Sequence, residues 1–299
     1  MIASVKDAPT FALIGAAGYI APKHGAAIKA VGGRLVAACD VSDAVGWLDK
    51  DWPECKFSVF PDPWESSPPR AWFKHGADWT VICTPNHLHS QHIRDASTSG
   101  VICEKPLALN SGSLACLEKC EYVYTIMNLR HHPEILRAKR IAEDRRPNSV
   151  SVVYHAPRGP WYDTSWKGDT ARSGGLIFNI GIHVIDFLLW AFGPAEIHEV
   201  QDHGPRNLSV WLYHRHPLLG GTRTKVQLST SNEHAPQRTI LYQYQDDEIG
   251  FDLAAPYSLG DDPSLHAACY RQILAGNGPG IEEARPGIEL CERINEALT

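Results

Sequence analysis

FALIGAAGYIAPKHGAAIKAVGGRLVAACD, residues 11–40, runs from an apolar strand through a glycine turn and a helix into a second strand. Phe11–Ile14 and Leu35–Cys39 are short continuous apolar runs, the pattern of parallel strands buried on both faces. Ala21–Val31 between them is helix-like, and Gly15-Ala16-Ala17-Gly18-Tyr19-Ile20 opens it. A tight glycine turn there lets backbone N–H groups approach a pyrophosphate at the positive end of the helix dipole. The G-x-G-x-x-G pattern is degenerate, with Ala17 and Ile20 in the second and third glycine slots, and a plain tight turn is the bland alternative. Asp40 ends the second strand, where a carboxylate can accept hydrogen bonds from adenine ribose hydroxyls and would repel a 2′-phosphate. Val41 and Ser42 follow it rather than arginine, which favours NAD over NADP. Asp40 can equally cap a helix, or do both.

The alternation continues outward. Trp79–Cys83 and Val101–Cys103 read as further buried strands, and Ser42–Leu48, Ser67–His75 and His89–Ser99 as helices. Repeated β-then-α order predicts right-handed crossovers and a doubly wound, Rossmann-type α/β sheet over residues 1–128. Pro61–Pro69 is rich in proline and reads as a loop. Beyond Tyr122–Met127 the pattern changes. A helix is predicted at Pro133–Glu143, a strand at Ser149–His155, an irregular stretch at Pro157–Ser173 and a helix at Leu176–Phe192. Alternating runs such as Leu208–Tyr213, Lys225–Thr230 and Thr239–Tyr244 suit an antiparallel sheet with one exposed face. Helices at Ser264–Ala275 and Ile281–Ala297 follow. Residues 129–299 are therefore expected to form an α+β domain with an open, mainly antiparallel sheet.

Composition narrows the function classes. The 299 residues carry 28 Lys+Arg against 34 Asp+Glu, a net charge of −6, so there is no broad basic footprint for nucleic acid. No transmembrane helix is expected, for want of a run of about 18 apolar residues, and Met1–Pro9 does not read as a secretory signal. The eight cysteines include no Cys-x-x-Cys pair. A reducing, cytoplasmic setting fits them. No metal is expected, because the histidines lack ligand-like company.

Cys103-Glu104-Lys105-Pro106 sits at the carboxyl end of a predicted strand, the edge where doubly wound sheets bind ligands. A lysine there can exchange a proton with a hydroxyl, although alone it would read as a surface residue. Asn179-Ile180-Gly181-Ile182-His183 lies in a predicted helix, where four-residue spacing puts Asn179 and His183 on one face. Asn179 can orient a hydroxyl but cannot take its proton, which leaves that work to Lys105, His183 or both. In Arg158–Asp169, Arg158 offers a planar fork for a carboxylate or phosphate. Lys167 adds a charge, Tyr162 and Ser165 add hydroxyls, and the tryptophans supply apolar walls. Tyr19-x-x-x-Lys23 mimics the short-chain dehydrogenase pair but lies in the phosphate turn, so it reads as coincidence.

Glu104-Lys105-Pro106 together with the histidine four residues after Asn179 resembles the signatures of the Gfo/Idh/MocA oxidoreductases. Residues 12–24, Leu129-Arg130-His131-His132, 158–169 and 273–285 resemble the branch of that family acting on UDP-N-acetylglucosaminuronate. The resemblance implies NAD as cofactor, with Thr84, Asn86, His89, Glu104 and Lys105 beside it. It also implies oxidation of the sugar 3-hydroxyl, a 3-keto product for surface-polysaccharide synthesis, and a homotetramer; some members of the branch reoxidise NADH with 2-oxoglutarate, which the residues here leave open. The segment from Asn110 to Tyr122 is short for the family and implies a trimmed helix. Arg130, His131 and His132 stay open between substrate contact and packing. A free polyol as substrate, or a non-catalytic dinucleotide sensor lacking the carboxylate at 179, are the alternative readings.

Overall fold

A computed structural model describes residues 8–60, 76–96, 98–215, 220–254 and 264–298. The expected Pro61–Pro69 loop and Ser67–His75 helix lie outside the described residues.

Apolar runs become the middle of a parallel sheet because both of its faces are covered. Strands β1 (Thr10–Ile14), β2 (Arg34–Asp40), β3 (Lys56–Val59), β4 (Trp79–Ile82), β5 (Gly100–Cys103) and β6 (Val123–Thr125) pair in parallel, in the order β3-β2-β1-β4-β5-β6. Phe11, Leu13, Val81 and Ile102 are fully buried. The strand order reverses between β1 and β4, which opens a crevice at their carboxyl ends. Helices α1 (Ala21–Ala30), α2 (Gly46–Asp51), α3 (His89–Asp95) and α4 (Ser111–Ala115) make the crossovers among the described residues. The helix expected at Ser42–Leu48 starts later because Asp40 and Ser42 side chains accept Val41, Ser42 and Ala44 N–H groups and hold the segment in turns. Between β5 and β6 only the short α4 remains, capped by Asn110.

The second unit is built on a second sheet. Helices α5 (Pro133–Asp144), α6 (Trp161–Thr164), α7 (Thr170–Ser173) and α8 (Ile182–Phe192) accompany strands β7 (Ser149–His155), β8 (Ala195–Asp202), β9 (Asn207–His214), β10 (Thr222–Ser229), β11 (Gln237–Gln243) and β12 (Glu248–Asp252). Their order is β12-β11-β7-β10-β9-β8, antiparallel except for the β7–β10 pair. α6 and α7 are single turns within the stretch expected to be irregular. Phe187, Ile185 and Leu188 of α8 join Val152, Val226 and Tyr242 in one core.

The expectation that no segment is long and apolar enough to span a bilayer is corrected. Thr170–Phe192 has a mean hydropathy of 1.8 over its most apolar window, but 72% of that window is buried inside the protein. Its apolarity serves the core.

Helices α9 (Ser264–Leu274) and α10 (Ile281–Glu296) follow, and α9 crosses back to the first unit. Tyr270 and Ile273 share a core with Phe11, Leu13 and Ile28, and the Tyr270 and Phe11 rings stand 5.8 Å apart. This return brings α9 side chains beneath the crevice.

Candidate active site

A cavity of about 800 Å³ occupies the crevice. The first wall is the turn after β1. Gly15 has φ +90°, and a Cβ there would stand 2.7 Å from the Cys83 carbonyl carbon and 2.9 Å from Thr84 N. Only glycine lets the β1 and β4 ends approach so closely. Gly18 N–H donates back to Gly15 O at 3.1 Å, and α1 then begins with no acidic side chain in its first turn. Its positive end is therefore uncompensated by the chain and suited to an anion. Gly15, Ala17, Gly18, Tyr19 and Ile20 all line the cavity.

Asp40 ties this turn to β2. Its Oδ2 accepts Ala17 N–H at 2.9 Å, and Oδ1 accepts Val41 and Ser42 N–H at 2.7 and 3.0 Å. A carboxylate offers about four acceptor sites, so one remains for a ribose hydroxyl. Glycine cradle, bare helix end and acid together fit a dinucleotide. Asp40→Ala is expected to lower the preference for NAD over NADP by about 10- to 100-fold, as loss of a charged hydrogen bond and of repulsion toward a 2′-phosphate. The ratio of kcat/KM with the two cofactors measures it.

The β4 and β5 turns form the second wall. Thr84, Asn86 and His89 line the cavity, but their polar atoms are mostly engaged. Thr84 Oγ1 bonds His92 Nδ1 at 2.9 Å, and Asn86 Nδ2 donates to Ser173 O at 2.8 Å. His89 is engaged more fully still. It is wholly buried, with its ring nitrogens 2.6 Å from Pro106 O and 2.8 Å from Thr84 O. The imidazole clamps the two turns together and keeps no nitrogen for a cofactor.

Glu104 and Lys105 follow β5 and both line the cavity. Glu104 Oε1 lies 2.9 Å from His24 Nε2 and 3.4 Å from His266 Nε2, while His24 Nδ1 meets Tyr270 OH at 2.8 Å. Burial works against the carboxylate, yet the hydrogen bonds of His24 and His266 hold it well below the usual range. The expectation that no histidine has ligand-like company is thereby corrected. The ligand atoms of His24, Glu104 and His266 lie within 4.8 Å of one another, united by α1, β5 and α9 rather than by any sequence spacing. The 2.9 Å contact is that of a direct hydrogen bond.

Lys105 Nζ donates to the backbone carbonyl of Asn179 at 2.6 Å. Burial pushes the ammonium down to about 8, against the raising effect of Glu104 and with help from Lys167 and Arg158. Asn179 sits in a π turn, Ile177–Gly181, that runs into α8. The Asn179–His183 register is thus not purely α-helical, but both residues line the cavity. Such a turn disrupts the regular ladder and can free a carbonyl, the feature that often puts it at functional sites. Asn179 Nδ2 donates to Tyr162 OH at 2.8 Å. His183 Nδ1 is buried without a partner among the described residues, and burial followed by Lys105 pushes the imidazole down to about 3. It is neutral at physiological pH.

The third wall comes from the 158–169 stretch. Arg158, Trp161, Trp166 and Lys167 line the cavity, with Lys167 Nζ 5.6 Å from each tryptophan ring. Tyr162 and Ser165, expected to contact substrate, are not among the residues that line it. Tyr162 is buried and supports Asn179, and Ser165 Oγ donates to Tyr162 O at 2.9 Å. Arg130 makes a bidentate pair with Asp186 at 2.9 and 2.7 Å, and His132 caps α5 by accepting Glu134 N–H. Both are packing residues. His24, His266, Tyr154 and Arg238 are cavity or cavity-supporting residues that the sequence reading missed.

Residues 10–128 match the oxidoreductase family with an NAD-binding Rossmann fold, and residues 135–210 match the GFO/IDH/MocA C-terminal domain. The chain belongs to the Gfo/Idh/MocA oxidoreductases. Among solved members it is similar to the WlbA (WbpB) dehydrogenase of Thermus thermophilus in complex with NAD and alpha-ketoglutarate. That similarity is 34% identity over 96% of this chain and 94% of that one, with a TM-score of 0.80. The same enzyme in complex with NAD and UDP-GlcNAcA superposes at 0.78, over 95% and 94% of the two chains. The WlbA dehydrogenase of Bordetella pertussis, 20% identical over 98% of this chain and 96% of that one, shares the fold at a TM-score of 0.77. A curated relative, the 2,7-anhydro-N-acetylneuraminate hydratase of Mediterraneibacter gnavus, is 26% identical over 62% of this chain and 50% of its own length. The Bacillus subtilis oxidoreductase YrbE matches at 28% over 42% of this chain and 38% of its own. The match thus spans half or less of the curated relatives' length.

Proposed function

We propose that this protein oxidises the 3-hydroxyl of a UDP-N-acetylglucosaminuronate-type nucleotide sugar to a 3-keto sugar, with NAD as hydride acceptor. The observation that carries the reading is the convergence of Lys105, Asn179 and His183, from two separate elements, on the cavity that Gly15 and Asp40 also line. When bound, NAD supplies the redox chemistry by accepting hydride from the carbinol carbon. The chain's residues do the rest.

Gly15, Gly18 and the first turn of α1 would hold the pyrophosphate, and Asp40 the adenine ribose. Lys105 is the base. Its amine titrates at about 8, so a substantial neutral fraction is present near physiological pH. His183, held down to about 3, is too weak a base to compete and instead positions the same hydroxyl as a neutral imidazole. Asn179 is fixed by Tyr162 and keeps Lys105 in place through its backbone carbonyl. Arg158 and Lys167 offer positive charge to a polyanionic ligand, and Trp161 and Trp166 offer flat walls. The Thermus relative in complex with NAD and UDP-GlcNAcA supports the choice of substrate.

Because Lys105 must be unprotonated to accept a proton, kcat/KM for oxidation is expected to rise with pH through about 8 and then level off. A pH profile in which activity falls through that range contradicts the assignment. Incubation with NAD and a panel of UDP-sugars and free polyols, followed by NADH formation, tests the substrate. Turnover of free polyols alone would favour the alternative reading.

The wider setting belongs to the same proposal. A 3-keto product suits a later transamination in surface-polysaccharide synthesis. The Thermus relative's complex with alpha-ketoglutarate supports 2-oxoglutarate as the reoxidant. Eight free thiols suit the cytoplasm, and the open face of the second sheet suits a homotetramer.

A further inference from the structure

Arg238 occupies an inward position on an apolar strand face. Side chains alternate along β11, so Arg238, Ile240 and Tyr242 share one face, and the last two are buried in the core. Across the ladder Arg238 pairs with Tyr154 of β7, and its guanidinium lies 5.3 Å from the tyrosine ring centroid. Both residues line the main cavity.

The guanidinium is under-used by the protein. Its Nε is buried with no hydrogen-bond partner among the described residues. Two nearby arginines are committed to carboxylates: Arg206 to Asp163 at 2.7 and 3.0 Å, Arg130 to Asp186. Arg238 has no carboxylate partner among the described residues, and neither has Arg158. These two arginines stand between the main cavity and a second one of about 220 Å³ that they also line. A buried donor without an acceptor is costly, and native structures usually resolve it with a partner.

We infer that Arg238, with Arg158 beside it, forms a carboxylate-recognition subsite facing Lys105 and His183. A planar fork matches a carboxylate in a bidentate pair, and the Tyr154 ring beneath it fixes the fork's orientation. Two carboxylate sources fit: the uronate group of the sugar and a 2-oxo acid that reoxidises NADH. The uronate assignment rests on the proposed function, whereas the subsite itself does not. Position near the reacting groups favours a carboxylate over the diphosphate. His183 is depressed by burial and Lys105, with a smaller share from Arg238, which places that charge near the imidazole.

The test is calorimetric binding to the NAD-loaded full chain, comparing wild type with Arg238→Gln and Arg238→Lys. Ligands are UDP-GlcNAcA, UDP-GlcNAc and 2-oxoglutarate, the last with NADH-loaded protein. For Arg238→Gln the Kd of UDP-GlcNAcA is expected to rise by about 10- to 100-fold, with UDP-GlcNAc changed by less than about 3-fold. Arg238→Lys should recover part of the loss. A rise confined to 2-oxoglutarate keeps the subsite and assigns it to the reoxidant. Equal weakening of both UDP-sugars, or no change for any carboxylate ligand, overturns it. NAD affinity and thermal unfolding of each variant check folding. Wild-type protein that binds neither UDP-sugar would defeat the proposed substrate while leaving the 2-oxoglutarate arm to decide the subsite.

Discussion

Lys105→Met is expected to lower kcat for substrate-dependent NAD reduction by about 10³- to 10⁴-fold, the upper range for removal of a positioned general base. That corresponds to about 4–5.5 kcal/mol of transition-state stabilisation. The thioether keeps the length of the side chain but can neither accept the hydroxyl proton nor donate to the Asn179 carbonyl now bonded at 2.6 Å. Loss of that bond leaves a carbonyl of the π turn without its partner, which costs about 1–3 kcal/mol if it stays buried. NAD affinity should change little, because the glycine turn and Asp40 are untouched. Steady-state kinetics beside an NAD titration separates the two effects, and unchanged turnover contradicts the assignment of the base.

Gly15→Ala is the second large effect, and it acts through the backbone. Residue 15 holds φ +90°, and the added methyl would meet the Cys83 carbonyl carbon at 2.7 Å, its oxygen at 2.8 Å and Thr84 N at 2.9 Å. None of these is a flexible side-chain tip. Relief requires the β1 and β4 ends to separate, at the point where the crevice opens. A loss of about 2–4 kcal/mol is expected from strain and displaced packing. NAD affinity should fall by at least about 10-fold, since 1.4 kcal/mol of lost binding suffices. Thermal unfolding and NAD titration of the variant measure both. A variant with wild-type values for each would show that the turn tolerates a side chain.

The legible and illegible parts of the chain divide along physical lines. β1, β2, β4 and β5 could be read because strands buried on both faces need continuous apolar runs. β3 (Lys56–Val59) could not, since it lies at the sheet edge with half-exposed side chains. That Lys105, Asn179 and His183 share one cavity was legible from motif and position. The π turn under Asn179 was not, because a regular helical repeat and a widened turn share one hydrophobic pattern here. Tyr162 and Ser165 carry hydroxyls in a loop rich in tryptophan, but Asn179 and the Tyr162 carbonyl engage them before any ligand can. His266 reaches Glu104 only because α9 returns to pack on α1, a long-range contact with no local signal. Arg238 did leave a signal: a cation on the inward parity of the run Arg238-Thr239-Ile240-Leu241-Tyr242.

In the proposed function, a hydride leaves a sugar carbon inside this cavity while Lys105 takes the hydroxyl proton. Purified protein, NAD and UDP-N-acetylglucosaminuronate deuterated at sugar carbon 3, followed by mass spectrometry of the cofactor, tests it most directly. Deuterium carried into NADH by the wild type, and not by Lys105→Met, is the predicted result. NADH formed without deuterium, or label transferred equally well by the variant, would contradict it.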